Sequence, residues 1–350
     1  MRFIIYYFFK VFVKTGLFFY SKKIKVSGKN NIPKEGAVLF TSNHPNGLID
    51  PLIIATHIKR KTHFLVQAGV FKNKSVANFF DLLGMMPIYR IRDGIKQLSK
   101  NEEIFNKCQK LLKNNKTLLI FPEGSHDRKR TIRPLSKGFT RIIFGTLNNY
   151  PDTKIFIVPV GITYQNSSKY PSKVAVNFGE PILSNDFYNK DNLNNSIKIL
   201  KEKISTQLEN LIVHIRDDEY YASTLEKLNK AQVDFTEVKK VNNILKIQEF
   251  PNKKQFSKNH KNPLFYLVIL NSLLPYLLWK KLSKKVNEIE FIDTFRFGIN
   301  MILFPLFYIF QTSIIYLLFN KKIALSYFIF SFLLVLLFTK TSVNKTESSI

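Results

Sequence analysis

Two apolar runs near the carboxyl end, residues 297–319 and 323–339, constrain the fold of this chain more than any other feature. The first is interrupted by Asn300 and Gln311, and the second is almost unbroken. As helices both reach across a hydrocarbon core of ~30 Å. Inside lipid only a segment that satisfies its own backbone can span. Asn320, Lys321 and Lys322 alone separate the runs, which predicts a helical hairpin. Residues 264–279 are shorter and contain Asn271 and Pro275, the pattern of a re-entrant or interfacial segment. Between that segment and the hairpin, Lys280, Lys281, Lys284, Lys285 and Arg296 face three acids. The positive-inside rule puts this stretch, and both ends of the hairpin, on the cytoplasmic side.

The amino end is apolar too. Residues 3–20 are broken only by Lys10, Lys14 and Thr15. The two lysines share one face of a helix, so the expectation is a helix lying in the membrane interface with both ammonium groups toward lipid phosphates. The lysines, and the lack of a small-residue cleavage site, argue against a signal peptide. A net charge of +28 calls for polyanionic partners. No zinc-ligand spacing, zipper heptad or single-strand-binding signature points to nucleic acid, so membrane phospholipid is the expected partner. Cys108, the one cysteine, excludes an internal disulfide. It falls within a helical pattern, where a packed thiol is expected.

Between the two ends, apolar tetrads alternate with amphipathic stretches, an α/β pattern. Ala37-Val38-Leu39-Phe40 reads as a buried strand that opens into Thr41-Ser42-Asn43-His44-Pro45-Asn46-Gly47-Leu48-Ile49-Asp50. It delivers an imidazole and a carboxylate into one loop at a strand's carboxyl end, where open α/β folds place their chemistry. A neutral imidazole whose tautomer is fixed by a carboxylate can take a proton from a hydroxyl. Leu118-Leu119-Ile120-Phe121 is a second such strand and runs into Pro122-Glu123-Gly124-Ser125-His126-Asp127-Arg128. Gly124 permits close backbone approach to a ligand. Arg128, Lys129, Arg130 and Arg133 form a cationic collar, either a solvated rim or a phosphate site. Gly84-Met85-Met86-Pro87-Ile88-Tyr89-Arg90 ends in a guanidinium suited to phosphate, and Arg92 follows it.

With Asn43-His44, the Arg90 segment, Pro122-Glu123-Gly124 and Val158-Pro159-Val160 in order, residues 25–185 resemble the glycerolipid acyltransferase family. Two features are similar to its fungal-type glycerol-3-phosphate/dihydroxyacetone-phosphate branch: five residues, not four, between His44 and Asp50, and Ser125-His126-Asp127 after the Glu-Gly. The resemblance implies an αβ sandwich and transfer of an acyl group from acyl-CoA or acyl-carrier protein to a glycerol-phosphate acceptor. It assigns catalysis to His44 and Asp50, and substrate contacts to Asn43, Arg90, Glu123, Gly124, Ser125 and Arg128. No metal and no resident cofactor are expected. The rivals are a non-catalytic or regulatory lipid-binding protein with the same fold, and a Ser125 hydrolase, which lacks the Gly-x-Ser-x-Gly elbow.

The expected organisation is an interfacial helix (residues 1–24), a cytoplasmic-face catalytic domain (25–185), a charged helical extension (186–262), helical or partly disordered over 217–262, and a membrane region (263–340). Within the extension, Ile197, Leu200, Ile204, Leu208, Leu211 and Ile215 recur at helical spacing. Lys253, Lys254, Lys258 and Lys261 stand available for anionic lipid.

Overall fold

Every residue of Ala37–Ser42 is buried, as a strand covered on both faces requires. The computed structural model describes residues 2–89, 94–251, 262–286 and 289–343. Arg90, Arg92, Lys253, Lys254, Lys258 and Lys261 lie outside the described residues.

From the amino end the elements are α1 (Arg2–Tyr20), β1 (Lys23–Ser27), β2 (Ala37–Ser42), α2 (Ile49–His57), β3 (Thr62–Gln67), α3 (Lys74–Leu82) and β4 (Met85–Ile88). Then follow α4 (Ile95–Leu98), α5 (Asn101–Lys113), β5 (Thr117–Ile120), α6 (Gly138–Asn149), β6 (Ile155–Tyr164), β7 (Lys173–Phe178), β8 (Ile182–Leu183) and α7 (Leu193–Leu211). The strands form one sheet in the order β1-β7-β6-β2-β5-β3-β4, with β8 also on β6. The five strands from β6 to β4 run parallel, while β7 is antiparallel to β6.

Side chains alternate across the sheet with a period of two. Ala37 and Leu39 face a core shared with Phe105 and Leu112 of α5, Phe139 and Ile143 of α6, and Leu200, Ile204 and Leu208 of α7. Val38 and Phe40 face the opposite core, shared with Ile53 and Ile54 of α2 and with Leu17 of α1. The fold is therefore a mixed α/β sandwich, as expected, and its core draws on chain outside residues 25–185. Cys108 is buried in the first core, where burial pushes its thiol up to about 12. It is a packed side chain.

Three local readings change. Leu98, Ile104, Leu111 and Leu112 predict one amphipathic helix over 95–113, but there are two, and at the start of the second Asn101 spends its amide on the backbone of Tyr89, accepting from its N at 3.0 Å and donating to its O at 2.8 Å. The stripe reaching Ile215 outlasts its helix, which ends at Leu211. There Asn177 donates to the Leu211 carbonyl at 2.8 Å, Asn242 donates to that of Ile212 at 2.7 Å, and the Ile215 N–H reaches Arg130 O at 2.6 Å. Beyond it, α8 (Tyr221–Lys230) and α9 (Val238–Ile247) bury Leu225, Leu228, Phe235 and Val241 against Ala175 of β7. Residues 213–245 are thus a packed annex of the sheet.

The remaining helices are α10 (Leu264–Asn271), α11 (Leu273–Ser283), α12 (Ile289–Leu318) and α13 (Lys321–Thr341). Helices α12 and α13 form the expected hairpin, and with α1 they are long and apolar enough to cross a membrane. The 264–279 segment is broken at Ser272, whose hydroxyl bonds Tyr308 at 2.6 Å; Asn271 accepts from Tyr327 at 2.8 Å and donates to Ser331 at 3.1 Å. Interhelical polar bonds of this kind hold apolar helices together. Lys10 departs from expectation: its ammonium points inward and caps the end of α2, donating to Ile58 O at 2.6 Å.

Candidate active site

Parallel register sets the site. Thr41 of β2 lies opposite Ile120 of β5, so both loops leave the sheet at one edge. The Asp127 N–H then donates to His44 O at 3.1 Å and ties the loops together. Phe121, one residue past β5, stacks flat on the His44 imidazole, with centroids 3.8 Å apart and planes 12° from parallel. His126 meets the same ring edge-on at 4.1 Å.

Asp50 sits in the first turn of α2, fully buried. Its Oδ2 is 2.8 Å from His44 Nδ1 and accepts the Asn46 N–H at 2.7 Å. Its Oδ1 accepts the Tyr164 hydroxyl at 2.7 Å. Burial raises this carboxyl well above the ordinary range, and the Asn46 and Tyr164 donors pull it back. Nδ1–H on the carboxylate leaves Nε2 as the proton-accepting nitrogen of His44. The five intervening residues fit because Pro45–Leu48 form a bulged loop ahead of the helix. A side chain at Gly47 would meet Thr294 Oγ1 at 2.8 Å and Phe291 at 3.0 Å.

The second loop is a tight turn. Gly124 has φ of 78°, which favours glycine, and its N–H bonds Phe121 O at 3.1 Å. Arg133 holds the turn, donating from Nε to Glu123 Oε2 at 2.9 Å, from Nη1 to Ser125 Oγ at 2.7 Å, and from Nη2 to the Ser125 carbonyl. Burial raises the Glu123 carboxyl and Arg133 opposes it.

The collar is largely occupied by the protein. Besides Arg133, Lys129 pairs with Asp217 at 2.7 Å, and buried Arg130 stacks on Phe235 at 3.7 Å and donates to Gln165 O at 3.2 Å. Arg128 donates through Nη1 to Ser168 Oγ at 2.7 Å. Asn43 lies under the site: its amide exchanges two hydrogen bonds with the Ile162 backbone, at 2.9 and 2.8 Å, fixing β2 to β6. His214 accepts from the Ile132 N–H at 3.3 Å in the annex. Among the described residues no group of three or more His, Cys, Asp or Glu side chains is placed to hold a metal.

Sequence reasoning missed two sets of residues. Tyr164 falls in an apolar strand and carries no motif. Asp293, Thr294 and Arg296 stand just before an apolar run in a lysine-rich stretch, where they read as linker. Helix α12 begins at Ile289, which brings them onto the His44 loop.

Residues 23–163 match the Acyltransferase family model. The chain is similar to Glycerol-3-phosphate O-acyltransferase 1 of Saccharomyces cerevisiae, 32% identical over 122 residues, which cover 33% of this chain and 16% of that protein. It is similar to Glycerol-3-phosphate O-acyltransferase 2 of the same yeast, 22% identical over 294 residues, covering 53% and 39%. The 1-acyl-sn-glycerol-3-phosphate acyltransferase of Borreliella burgdorferi is 24% identical over 209 residues, covering 57% of this chain and 77% of that protein. The chain thus spans well under half of the two yeast relatives.

Proposed function

We propose, from the match of residues 23–163 to the Acyltransferase family model, that the chain moves a fatty acyl group from acyl-CoA or acyl-carrier protein to a hydroxyl of a glycerol-phosphate acceptor, glycerol-3-phosphate or its 1-acyl derivative, in phospholipid synthesis. The observation that carries the reading is the buried Asp50 carboxylate 2.8 Å from Nδ1 of a His44 ring that is 10% exposed, where the parallel strands β2 and β5 end. A lipid-binding scaffold has no use for a desolvated carboxylate holding one imidazole tautomer.

In the reaction, His44 Nε2 takes the hydroxyl proton as the acceptor oxygen attacks the thioester carbonyl. The tetrahedral intermediate expels the thiolate, which leaves as the thiol with the proton from Nε2. Asp50 keeps Nδ1 protonated and stabilises the imidazolium. Donors at the Glu123-Gly124-Ser125 turn hold the acceptor and the oxyanion, Arg128 contacts the phosphate, and the family resemblance gives Arg90 the same role. The donor is a co-substrate, and no resident cofactor enters the scheme. The catalytic domain works on the cytoplasmic face, against membrane phospholipid and without nucleic acid.

The test uses membranes carrying wild type or His44→Ala, one labelled acyl thioester and each acceptor in turn. Wild type acylates at least one acceptor. His44→Ala, inserted and folded, loses ~100-fold or more of the rate; more than about a tenth of wild-type activity would overturn the base assignment.

A further inference from the structure

The amino-terminal end of α12 does not stop at the domain surface. Asp293, 5% exposed, accepts from Asn46 Nδ2 at 3.2 Å through one oxygen. Through the other it accepts from Arg296 at 3.0 Å and from the Tyr20 hydroxyl of α1. Thr294 Oγ1 accepts the Leu48 N–H at 2.9 Å. Asn46 also donates to Ser167 O at 3.0 Å, and Arg296 to Ser168 O at 3.3 Å. Phe297, one turn on, is buried in the sheet's second core beside Leu17. The clamped residues, Asn46 to Leu48, are the bulge between His44 and Asp50, and the Asn46 N–H is itself a donor to Asp50.

We propose that Asp293 and Thr294 of a membrane helix are positioning residues for the His44–Asp50 pair, so that the catalytic loop is completed by α12. Left to itself, a bulge with Pro45 and Gly47 has several backbone solutions. The Asp293–Asn46 and Thr294–Leu48 bonds select the one that aims the Asn46 N–H at Asp50. The reaction then requires α12 to be seated, which couples chemistry to the membrane-embedded state of the protein.

The proposal rests on the acyl-transfer reading, and its test separates the two. Asp293→Asn keeps the shape but leaves the Asn46, Tyr20 and Arg296 donors with one acceptor oxygen in place of two. Thr294→Val removes only the Oγ1 and leaves Asp293 paired with Tyr20 and Arg296, so it serves where Asp293→Asn does not fold. In the full-length detergent-solubilised protein either variant lowers kcat about tenfold or more, with both KM values unchanged. Thr294→Ser restores the rate. In an Asp50→Asn background the loss disappears, because the pair no longer has a geometry to protect. Independently of activity, carbethoxylation of His44 by diethyl pyrocarbonate, read by mass spectrometry against His63 and His214, is faster in both variants than in wild type. An undiminished loss in the Asp50→Asn background, or wild-type labelling of His44 in both variants, would overturn the proposal. A wild type that acylates neither acceptor defeats the functional reading instead, and the labelling alone then decides the clamp.

Discussion

Two loops leave neighbouring parallel strands at the same edge of the sheet, and they are held in opposite ways. The Glu123-Gly124-Ser125 turn is pinned from nearby, by Arg133 ten residues or fewer away. The His44 loop is pinned from a distance, by Tyr164, Ser167, Asp293 and Thr294. The nearby clamp rests on a partly exposed guanidinium, the distant one mainly on the buried Tyr164, Ser167 and Asp293, with Thr294 at its partly exposed margin. This difference fits two duties. A loop that carries out proton transfer needs its imidazole fixed to within a fraction of an ångström. A turn that contacts a flexible acceptor works with a clamp that can shift. If so, damage to the first should appear in kcat, and damage to the second in acceptor KM.

The largest effect should come from Asp50→Asn. The amide offers His44 the wrong tautomer, so kcat should fall roughly 10³-fold or more while acceptor KM stays similar. Stability should move the other way. Asp50 is raised by burial, so the stability linked to it is full below its unfolded value and is lost as pH rises through its folded value. At neutral pH the amide removes that cost, and the melting temperature should hold or rise. Near-normal turnover would reduce Asp50 to a structural anchor of Asn46 and Tyr164 and erase the contrast between the loops.

A smaller effect belongs to Arg133→Lys. Lysine cannot reproduce the three-donor grip on Glu123 and Ser125, so acceptor KM should rise about tenfold while kcat changes by less than about threefold. Steady-state kinetics with acceptor varied at saturating donor reads both. A collapse of kcat at constant KM would place the turn with the chemistry and invert the comparison.

The same contrast governs what was legible from sequence. Features carried by short stretches could be read: strand β2 by its apolar tetrad, the His44–Asp50 pair by its loop, the α12–α13 hairpin by two long runs. Features made by distant partners could not. Nothing about Tyr164 in Gly161-Ile162-Thr163-Tyr164 says that its hydroxyl meets a carboxylate 114 positions away. Asp293 among lysines looks like linker until α12 carries it to Asn46. Lys10 fits an interfacial helix by periodicity, but the open carbonyl at Ile58 claims it. The annex over 213–245 was hidden because charged and polar residues interrupt its apolar positions, of which a few such as Leu228 and Phe235 carry its packing.

Tyr164→Phe should give the smallest effect and the sharpest test of the distant clamp, because it deletes one oxygen and keeps the packing. The hydroxyl donates to Asp50 Oδ1 and, with the Asn46 N–H, favours the ionised carboxylate against the burial that raises it. Without it the carboxyl moves further up. Below its folded pKa the protonated carboxyl no longer holds the His44 tautomer, so the acid limb of kcat should shift to higher pH. A hydrogen bond to a charged group contributes ~1.5–3 kcal/mol, and one pH unit corresponds to about 1.4 kcal/mol. The limb should therefore move measurably upward, as a property of the coupled His44–Asp50 pair. Above the limb, kcat should stay within about threefold of wild type, since the Asn46 N–H and His44 still hold Asp50. The loss should then be severe on the acid limb and slight on the plateau above it. A uniform loss at every pH would reduce Tyr164 to a packing residue. A limb displaced to lower pH would mean that the hydroxyl favours the protonated carboxyl, and Asp50 would then not be the ionised orienter of His44.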